Sequence, residues 1–225
     1  MQEPDRLDPD PRPFPPHEAM EGEQVRLEPL EERHLPMLWK AFSMSGADPI
    51  WDFMAFGPFD DEAAFVAHAR KAFFGRDPQF YSVVEKATQM PLGILALMRI
   101  DPANGVIEVG TILLSPAMQR TRMASETIWL VMRRVFDDMG YRRLEWKCDD
   151  RNAPSRRAAL RFGFSAEGLF RQHMIVKRRN RDTAWYSLLD SEWPRVDAAF
   201  RVWLAPENFD DEGRQRTPLA ARQAG

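Results

Sequence analysis

The chain has 225 residues, of which 44% are hydrophobic and 29% charged, and its formal net charge at pH 7 is −3. This length fits one domain with extensions, and the apolar fraction is large enough for a sizeable core. The longest apolar run, residues 92–98, is far shorter than the roughly 18–20 residues that span a membrane. The acidic, proline-rich N-terminus lacks the apolar stretch of a secretory signal, so we expect a soluble, cytoplasmic protein.

The two ends differ in composition from the middle of the chain. Residues 1–22 hold six of the eighteen prolines and few apolar side chains, which predicts a flexible, acidic arm. Residues 206–225 are polar with an alanine-rich end, and we expect this tail to lie outside the core. Residues 23–205 are predicted to form a single domain.

Hydrophobic periodicity predicts a strand, two helices and three further strands in the first half of this domain. Asp60 or Asp61 is the expected cap of the second helix, and turn residues separate the last three strands. The elements are expected at 25–30 (strand), 31–45 and 60–74 (helices, with a loop at 46–59), and 80–86, 92–100 and 106–114 (strands).

The second half alternates helices and strands and begins with the longest predicted helix. Gly140 and Gly163 stand where glycine commonly ends a helix. The elements are expected at 119–139 (helix), 143–148 (strand), 153–162 (helix), 164–173 and 183–189 (strands) and 193–204 (helix). Taken together, the order of elements predicts a mixed α+β sheet covered by helices.

The charged residues are unevenly distributed. Residues 151–181 hold nine Arg or Lys side chains and one acid, Glu167. A local basic field in an acidic protein suggests an anionic ligand. A solvated arginine surface explains the same pattern, because arginine outnumbers lysine 26 to 5 in the whole chain, so both interpretations remain open.

Neither a disulfide nor a metal site is indicated. Cys148 is the single cysteine and has no internal partner for a disulfide. The four histidines are scattered without zinc-ligand spacing. We therefore expect no bound metal.

Groups suited to anion binding lie where the strand at 106–114 meets the long helix. A helix N-terminus presents unpaired N–H groups and a partial positive charge, which together favour a phosphate. Four side chains in the turn add charged or hydroxyl donors, namely Arg120, Thr121, Arg122 and Ser125. Every strand–helix turn has such amides, so this feature alone is weakly specific.

Two motifs resemble those of the GNAT acetyltransferase superfamily. Gln119 and Ala124 match the ends of its pyrophosphate loop, Gln/Arg-x-x-Gly-x-Gly/Ala, while Arg122 replaces the first glycine. Asn152-Ala153-Pro154-Ser155, followed by Phe162-Gly163-Phe164, resembles its second region of contact with coenzyme A (CoA). The pair is similar to the RimJ/RimL-type branch, which acetylates N-termini of ribosomal proteins, over about residues 24–190.

The resemblance implies a GNAT-like, mostly antiparallel twisted sheet flanked by helices, in which the central strands carrying Glu108 and Trp146 splay apart. Acetyl-CoA would be the cofactor, with its pantetheine arm in the gap and an irregularity near 113–115 freeing backbone groups for it. For Asn152, a plain helix cap is the alternative to a ligand role. The implied cofactor residues are Leu113, Leu114, Ser115, Gln119, Arg120, Thr121, Arg122, Met123, Ala124, Ser125, Asn152, Ser155 and Arg156.

The resemblance also suggests catalytic residues. Glu108 is the candidate general base, and the period of a strand places it on the face of Gly110 and Leu114; an ion pair with Arg99 is the alternative. Ser155 would reprotonate the leaving thiolate, with helix capping or simple cofactor contact as the alternative. Tyr186 is a second candidate acid, although buried tyrosines usually belong to the core.

The acceptor pocket is expected between the 46–59 loop, the first two helices and the hairpin 171–185. Trp51, Phe53 and Phe56 would give it apolar walls, and Arg171, Lys177 and Arg178 would meet an anionic group. Anchoring of the loop on the core is an equally good explanation of these aromatic residues. A primary amine is the expected acceptor, and an α-amine, with a pKa near 8, needs a weaker base than a lysine amine near 10.4.

Three function classes therefore compete. The first is an acetyl-CoA-dependent N-acetyltransferase acting on a peptide α-amine or a small amine. The second is a CoA-binding GNAT-fold protein without catalysis, suggested by Arg122 at the glycine position. The third is an RNA- or ribosome-associated module that uses the arginines of residues 151–181, although the net charge argues against nucleic acid. Monomer and homodimer both remain open.

Overall fold

An eight-stranded sheet runs through the computed structural model, which describes residues 10–221. Its order is β1-β2-β3-β4-β5-β6-β8-β7, and every neighbouring pair is antiparallel except β5 and β6. The mixed, mostly antiparallel α+β fold expected from the sequence is confirmed. The strands are β1 Met20–Glu21, β2 Val25–Pro29, β3 Gln79–Glu85, β4 Pro91–Asp101, β5 Val106–Leu114, β6 Arg143–Asp149, β7 Ser165–Val176 and β8 Arg179–Leu189.

Five α-helices within residues 10–221 flank the sheet. The side chain of Asp61 caps the second of them by accepting a hydrogen bond from the Ala64 amide at 2.8 Å. None of the helices within residues 10–221 is long and apolar enough to cross a membrane. Their bounds are α1 Leu35–Phe42, α2 Glu62–Ala72, α3 Arg122–Arg133, α4 Ala153–Arg161 and α5 Trp193–Leu204.

Helix α3 is shorter than the 119–139 helix that the periodicity predicts. Thr121 caps it, so residues 119–121 form a turn before the helix. Its predicted C-terminal part is a π-helical turn, Arg134–Asp138. The apolar stripe continues through both segments, which explains why periodicity alone does not separate them.

The sheet is covered on both faces by apolar packing. Helices α1 and α2 pack on one face, which we call the α1/α2 face, where Ile94 and Ala96 of β4 lie. Helices α3 and α5 pack on the opposite α3/α5 face, where Leu95 and Leu97 lie. Successive residues of a strand point to opposite faces, so a strand buried on both faces is apolar throughout.

Strands β5 and β6 form a fork at the centre of the sheet. Their parallel pairing covers only Val106–Glu108 of β5 and residues 143–145 of β6. Beyond Glu108, no other strand within residues 10–221 pairs with that side of β5. The predicted splaying of the central strands is thus confirmed, and it leaves one side of the β5 backbone without a sheet partner.

A β-bulge lies in β5 beside this fork. Ala96 pairs with Gly110 and Ile94 pairs with Leu113, so β5 has one extra residue there, and Thr111 has a φ of +48°. Because the extra residue reverses the alternation, Leu113 rather than Leu114 shares the face of Gly110. The prediction that Leu114 lies on the same face as Glu108 is therefore wrong, and the irregularity lies at 111–112 instead of 113–115.

The described part of the N-terminal arm is docked on the sheet rather than flexible. Tyr141 donates a hydrogen bond to the Pro13 carbonyl at 3.0 Å, and Gln79 donates to that of Pro15 at 2.9 Å. Strand β1 then pairs with β2. Prolines lack an N–H but keep a carbonyl acceptor, so side chains of the sheet can hold this segment. Residues 1–9 of the predicted arm lie outside the described residues.

The described part of the C-terminal tail also packs on the domain. Trp203 Nε1 donates to Gln215 Oε1 at 2.8 Å, and Ala221 is fully buried against the α3/α5 core. The tail predicted to lie outside the core therefore contributes to it up to residue 221. Residues 222–225 lie outside the described part of the chain.

Strands β7 and β8 form a longer hairpin than the predicted strands at 164–173 and 183–189. Lys177 and Arg178 make its two-residue turn, and both have positive φ, +48° and +62°. Such turns usually carry Asn-Gly or Asp-Gly, so the Lys-Arg pair gives no turn signal in the sequence.

Candidate functional site

The fork separates the predicted catalytic residues onto two faces of the sheet. On β6, Trp146 points to the α3/α5 face and bonds Ser155, whereas Lys147 points to the other face and contacts Glu108. Tyr186 pairs with Trp146 and shares its face. The two sets therefore lie on opposite faces of the sheet, on either side of β6, the strand that forms one side of the fork.

Glu108 is buried and carries two cations on one oxygen. Arg99 Nη1 lies 2.8 Å and Lys147 Nζ 2.7 Å from Oε2, and both Glu108 and Lys147 have side chains less than a tenth exposed. Oε1 accepts no hydrogen bond within residues 10–221. The pairing with Arg99 that the sequence suggested as an alternative is present, whereas Lys147 was not anticipated.

Arg99 reaches Glu108 from an irregular turn of β4. Its φ is +50°, in a second register shift between β4 and β5. Asp77 holds this turn by accepting hydrogen bonds from the amides of Arg99 and Ile100, at 3.0 and 3.1 Å. A bulge of this kind redirects a side chain, and here the guanidinium turns toward Glu108.

Gly110 leaves space for the Glu108 carboxyl group. A Cβ atom at this position would lie 3.1 Å from Glu108 Oε1 and 2.6 Å from Met98 Sδ. The second distance is shorter than real Cβ contacts, so a larger residue would displace the side chains on this face. The glycine therefore belongs to the site through its close packing.

The ion pairs continue from Lys147 across β6 to β7. Lys147 Nζ lies 2.7 Å from Glu145 Oε2, and Arg143 bonds both Glu145 and Glu167. Burial pushes the pKa of Glu145 upward, but hydrogen bonds from Lys147 and Arg143 outweigh it and lower that pKa. The hydrogen bond from Arg143 lowers the pKa of Glu167 to about 2. Three carboxylates and three cations thus alternate along the α1/α2 face.

Ser155 and its neighbours lie at the N-terminus of α4. Ser155 Oγ accepts a hydrogen bond from Trp146 Nε1 at 3.0 Å. Burial raises the pKa of the Cys148 thiol, while a hydrogen bond with Ser155 acts in the opposite direction. Tyr186 accepts a hydrogen bond from Arg156 Nε at 3.2 Å. The hydroxyl of Ser155 therefore sits in a polar cluster beside the fork.

Asn152 forms the helix cap that the sequence suggested as its alternative role. Its Oδ1 accepts the Ser155 amide at 3.0 Å. The Nδ2 donor of Asn152 makes no hydrogen bond within the described part of the chain. Capping therefore uses one end of the side-chain amide and leaves the other end available.

The turn before α3 presents unpaired amides. Gln119 Nε2 donates to the Leu114 carbonyl at 3.0 Å, and Thr121 Oγ1 accepts the Ala124 amide at 3.3 Å. The amides of Arg120, Arg122 and Met123 have no hydrogen-bond partner among residues 10–221. Arg120 has a φ of +61° and an exposed side chain. The turn therefore has the free donors of an anion site.

Two side chains of this region that were predicted to contact the cofactor instead contact other groups of the protein. Arg122 donates to the Leu204 carbonyl, and its guanidinium lies 5.0 Å from the ring centre of Phe209. Ser125 Oγ accepts a hydrogen bond from Arg161 Nη1 at 3.0 Å. Arg122 at the glycine position is thus turned toward the C-terminal segment instead of the turn.

Arg161 is a cation near this turn that the sequence analysis did not single out. Its guanidinium lies 4.7 Å from the ring centre of Trp203, and burial lowers its pKa. No carboxylate within residues 10–221 pairs with it. The spacing of α4 gives no signal for this role, because the partners of Arg161 come from α3 and α5.

Ser115 and the two leucines before it lie at the end of β5. Leu113 is buried against α1 and α2, and Leu114 is half-buried on the opposite face. Ser115 is fully buried, and its amide donates to the Leu92 carbonyl at 2.9 Å. Met123 and Ala124 pack against the α3/α5 core. The side chains of Leu113, Ser115 and Ala124 are buried, and the Ser115 hydroxyl makes no hydrogen bond within the described residues.

The predicted acceptor residues divide between core and surface. The Trp51 ring is buried and contacts Phe42, Phe56 and Phe59, so it anchors the 46–59 loop on the core. Phe56 packs in the same cluster, Phe53 is half-buried and Arg171 is exposed on β7. Lys177 donates to the Trp51 carbonyl at 2.8 Å, so the β7–β8 hairpin touches the loop and closes one side of the expected pocket.

Two surface cavities are lined by residues other than Glu108 and Ser155. One, of about 430 Å³, is lined by polar residues of the loop after β6 and the start of β8, among them Asp149, Arg151 and Asp182. The other, of about 730 Å³, lies between α5 and the C-terminal segment. No group of three or more His, Cys, Asp or Glu side chains in the described residues is arranged to hold a metal ion.

Comparison with known proteins connects this arrangement to a family. Residues 24–165 match the acetyltransferase (GNAT) domain family. A curated relative, the uncharacterized N-acetyltransferase p20 of Bacillus licheniformis, is 29% identical over 113 residues. That match covers 50% of this chain and 63% of the relative, so the chain spans less than two thirds of its length.

Solved structures give matches over more of the chain. A GCN5-related N-acetyltransferase from Brucella melitensis is 50% identical, with a TM-score of 0.91, over 93% of this chain and 96% of that chain. A protein from Chromobacterium violaceum assigned to the GNAT family is 42% identical, with a TM-score of 0.79, over 86% and 97%. The chain therefore belongs to the GNAT family of acetyltransferases.

Proposed function

We propose that this protein transfers an acetyl group from acetyl-CoA to a primary amine. The observation that carries the proposal is the fork between β5 and β6, which has a buried carboxylate, Glu108, on one side and the Ser155 cluster on the other. The free amides of the α3 turn supply donors for the phosphates of the cofactor. The family membership of the chain supports the same reaction.

The residues present fit acetyl-CoA. Arg120 and the amides of the α3 turn would hold the diphosphate, and the unpaired backbone of β5 beyond Glu108 would hold the pantetheine amides. Asn152 Nδ2 is a free donor on the other side of the fork. When bound, acetyl-CoA supplies an activated acetyl thioester. We do not assign Arg122 a direct phosphate contact, because its guanidinium is held by Leu204 and Phe209.

The candidate base and acids act from opposite faces. Glu108 Oε1 is the carboxylate oxygen that accepts no hydrogen bond within the described residues, and it would accept a proton from the acceptor amine directly or through water. Ser155 Oγ would donate a proton to the departing sulfur and is oriented by Trp146 Nε1. Tyr186 is the second candidate acid, and its hydroxyl oxygen accepts a hydrogen bond from Arg156, which leaves the phenolic proton to be donated.

We favour a peptide α-amine or a small amine as the acceptor, acetylated in the cytoplasm by a RimJ/RimL-type enzyme. A Vibrio cholerae structure with a proposed ribosomal-protein-serine acetyltransferase identity has the same fold at 19% identity and a TM-score of 0.65. That likeness extends to the fold alone. The acceptor side is bounded by the 46–59 loop and the β7–β8 hairpin, with Phe53 and Arg171 as its candidate contacts.

The two other functions receive less support. Four of the nine basic residues in the 151–181 cluster are engaged within the protein. Arg151 and Arg156 pair with Asp149 and Asp150, Arg161 is enclosed by α3 and α5, and Lys177 donates to the Trp51 carbonyl. This weakens the case for an RNA-binding module. The alternative of a CoA-binding protein without catalysis was suggested by Arg122 at the glycine position. The Arg122 side chain is turned toward Leu204, so it leaves the amides of the turn free, as they would be with glycine at this position.

A transfer screen tests the proposed function. Purified protein is incubated with acetyl-CoA and peptides, amino acids, polyamines or aminoglycosides, and free thiol release is followed together with the mass of each acceptor. We expect acetylation of at least one primary amine and a loss of rate in Glu108→Gln. Tight acetyl-CoA binding without transfer to any amine would instead support the non-catalytic alternative.

A further inference from the structure

Lys147 is a buried lysine that the proposed mechanism does not use. It lies on β6, two residues beyond the last residue that pairs with β5. Its side chain is 7% exposed, and Nζ lies 2.7 Å from both Glu108 Oε2 and Glu145 Oε2. The ammonium group also lies 3.9 Å from the ring centre of Trp185. Two carboxylates and an aromatic face thus offset the cost of burying this cation.

The contact between Lys147 and Glu108 crosses the fork where the backbone pairing ends. Glu108 and Glu145 are the last paired residues of their strands, so the backbone does not hold β5 and β6 together any further. Lys147 reaches back from β6 to the carboxylate on β5. A side-chain ion pair therefore joins the two strands at the apex of the opening.

The position of the Glu108 carboxyl group depends on cations from both neighbouring strands. Arg99 binds Oε2 from β4, and Lys147 binds the same oxygen from β6. The Arg99 side chain is 51% exposed, so alone it would draw the carboxylate toward β4 and solvent. With both cations present, Oε2 is fixed and Oε1 lies beside Gly110.

We infer that Lys147 is a positioning residue of the acetyl-transfer site, which holds Glu108 at the fork and leaves Oε1 to act on the acceptor amine. This inference rests on the proposed function. A purely structural role would make the stability of the fold depend on Lys147. We expect instead that the fold tolerates the loss of Lys147 from the ion-pair chain. Glu108 would keep Arg99 and Glu145 would keep Arg143, so no carboxylate would remain buried without a partner.

The test is a double-mutant cycle with Lys147→Met and Glu108→Gln. Methionine is similar in length and can still pack on Trp185, but it carries no charge. We expect Lys147→Met to lower kcat at least about tenfold, with a Tm and an acetyl-CoA Kd close to those of the wild type. Lys147→Arg should recover most of the rate. Adding Lys147→Met to Glu108→Gln should cause little further loss, because the lysine acts through the glutamate.

Glu145→Gln is the matched control. It disturbs the same ion-pair chain but leaves the contact between Lys147 and Glu108, so its kcat should stay near the wild-type value. Retention of more than half of kcat in Lys147→Met would overturn the inference. A loss that adds in full to that of Glu108→Gln, or one that follows a fall in Tm, would overturn it as well.

A measurement that needs no turnover separates this inference from the proposed function. In a crystal structure of Lys147→Met, the Glu108 carboxylate should move from the fork toward Arg99. An unmoved carboxylate would contradict the positioning role whatever the activity. Absence of transfer by the wild-type protein, together with a displaced carboxylate in the variant, would instead reject the proposed function alone.

Discussion

At the scale of single residues, the carboxylates of the α1/α2 face differ in how strongly they are buried. Glu108 is almost fully enclosed at the fork, whereas the Glu167 side chain at the far end of the ion-pair chain is 40% exposed. Arg143 and Ser187 both donate hydrogen bonds to Glu167. We therefore expect different consequences when the charge is removed at the two ends of the ion-pair chain. Loss of the Glu108 charge should lower the catalytic rate, whereas loss of the Glu167 charge should lower the stability of the fold.

Glu167→Gln should reduce stability in a pH-dependent way. The pKa of Glu167 is lowered from 4.5 to about 2 in the folded protein, so its ionised form stabilises the fold above about pH 4.5. The contribution is lost as pH falls from about 4.5 toward 2. We expect the variant to be about 1 kcal/mol less stable near pH 7, a value reduced for the exposure of the pair.

Denaturant unfolding of wild type and Glu167→Gln, near pH 7 and near pH 3, checks this expectation. The difference between the two proteins should shrink at the lower pH, because Glu167 of the unfolded wild-type chain, with a pKa near 4.5, takes up a proton there while the folded protein stays largely ionised. A difference that stays constant between these pH values would show that the variant acts through packing rather than charge.

Ser155→Ala should lower kcat at least about tenfold if Ser155 donates the proton to the departing sulfur. The acetyl-CoA Kd should change little, because the α4 cap uses the Ser155 amide and not its hydroxyl. Initial rates and calorimetric titration measure the two quantities. Cys148→Ala is the control, since it removes the neighbouring thiol and keeps the hydroxyl, and its rate should remain near that of the wild type. More than half of wild-type kcat in Ser155→Ala would exclude the acid role.

The sequence identifies Glu108 and Ser155 as candidates but not the groups that hold them. Lys147 and Glu108 are 39 positions apart and meet only because β5 and β6 are parallel neighbours. From the sequence alone, a lone lysine in a strand is assigned to the surface, since buried lysines are rare. Arg99 could be anticipated from the hairpin, because β4 and β5 are consecutive.

At the scale of elements, strands β3, β4 and β5 follow the prediction closely because apolar runs and turn residues mark both ends of each strand. The bulge at Thr111 and Ile112 leaves no such mark, because both residue types favour regular strands. One extra residue nevertheless reverses the faces of Leu113 and Leu114. Alternation can therefore be read from sequence only up to the first bulge.

The turn before α3 yields a matched pair of predictions. Arg120→Met should weaken acetyl-CoA binding about tenfold with little change in Tm, because this exposed arginine would lose a charged contact to phosphate. Arg122→Met should do the reverse, lowering Tm through the lost contacts with Leu204 and Phe209 while the Kd stays within about twofold. Calorimetric titration and thermal unfolding of both variants provide the measurement.

The opposite outcome for Arg120→Met and Arg122→Met would change which arginine of the turn is assigned to cofactor binding. If Arg122→Met loses cofactor affinity and keeps its Tm, then Arg122 leaves Leu204 and Phe209 when the cofactor binds. Equal losses of affinity in both variants would mean that the net positive charge of the turn matters more than the placement of either side chain.

At the scale of the whole molecule, both chain extensions dock through polar contacts that composition does not reveal. Tyr81 and Tyr141 donate hydrogen bonds to the carbonyls of Pro16 and Pro13, and burial raises the pKa of each tyrosine to about 12. The two hydroxyls therefore remain neutral donors at physiological pH. At the other end, Gln215 accepts a hydrogen bond from Trp203 of α5 and Phe209 lies against Arg122, which connects the C-terminal segment to α5 and to the start of α3.

Acetyl-CoA should stabilise the whole fold, because its proposed contacts come from β5, α3 and α4 and exist together only in the folded protein. A ligand that binds only the native state at about 100 times its Kd adds about 2.7 kcal/mol. For a domain of this size, that corresponds to a rise in Tm of about 5–10 °C. Thermal unfolding with and without acetyl-CoA measures the shift, and ATP, which has phosphates but no pantetheine arm, is the control. No shift at millimolar acetyl-CoA would contradict cofactor binding. An equal shift with ATP would mean that only the anion site at the α3 turn is occupied and that the fork contributes nothing to binding.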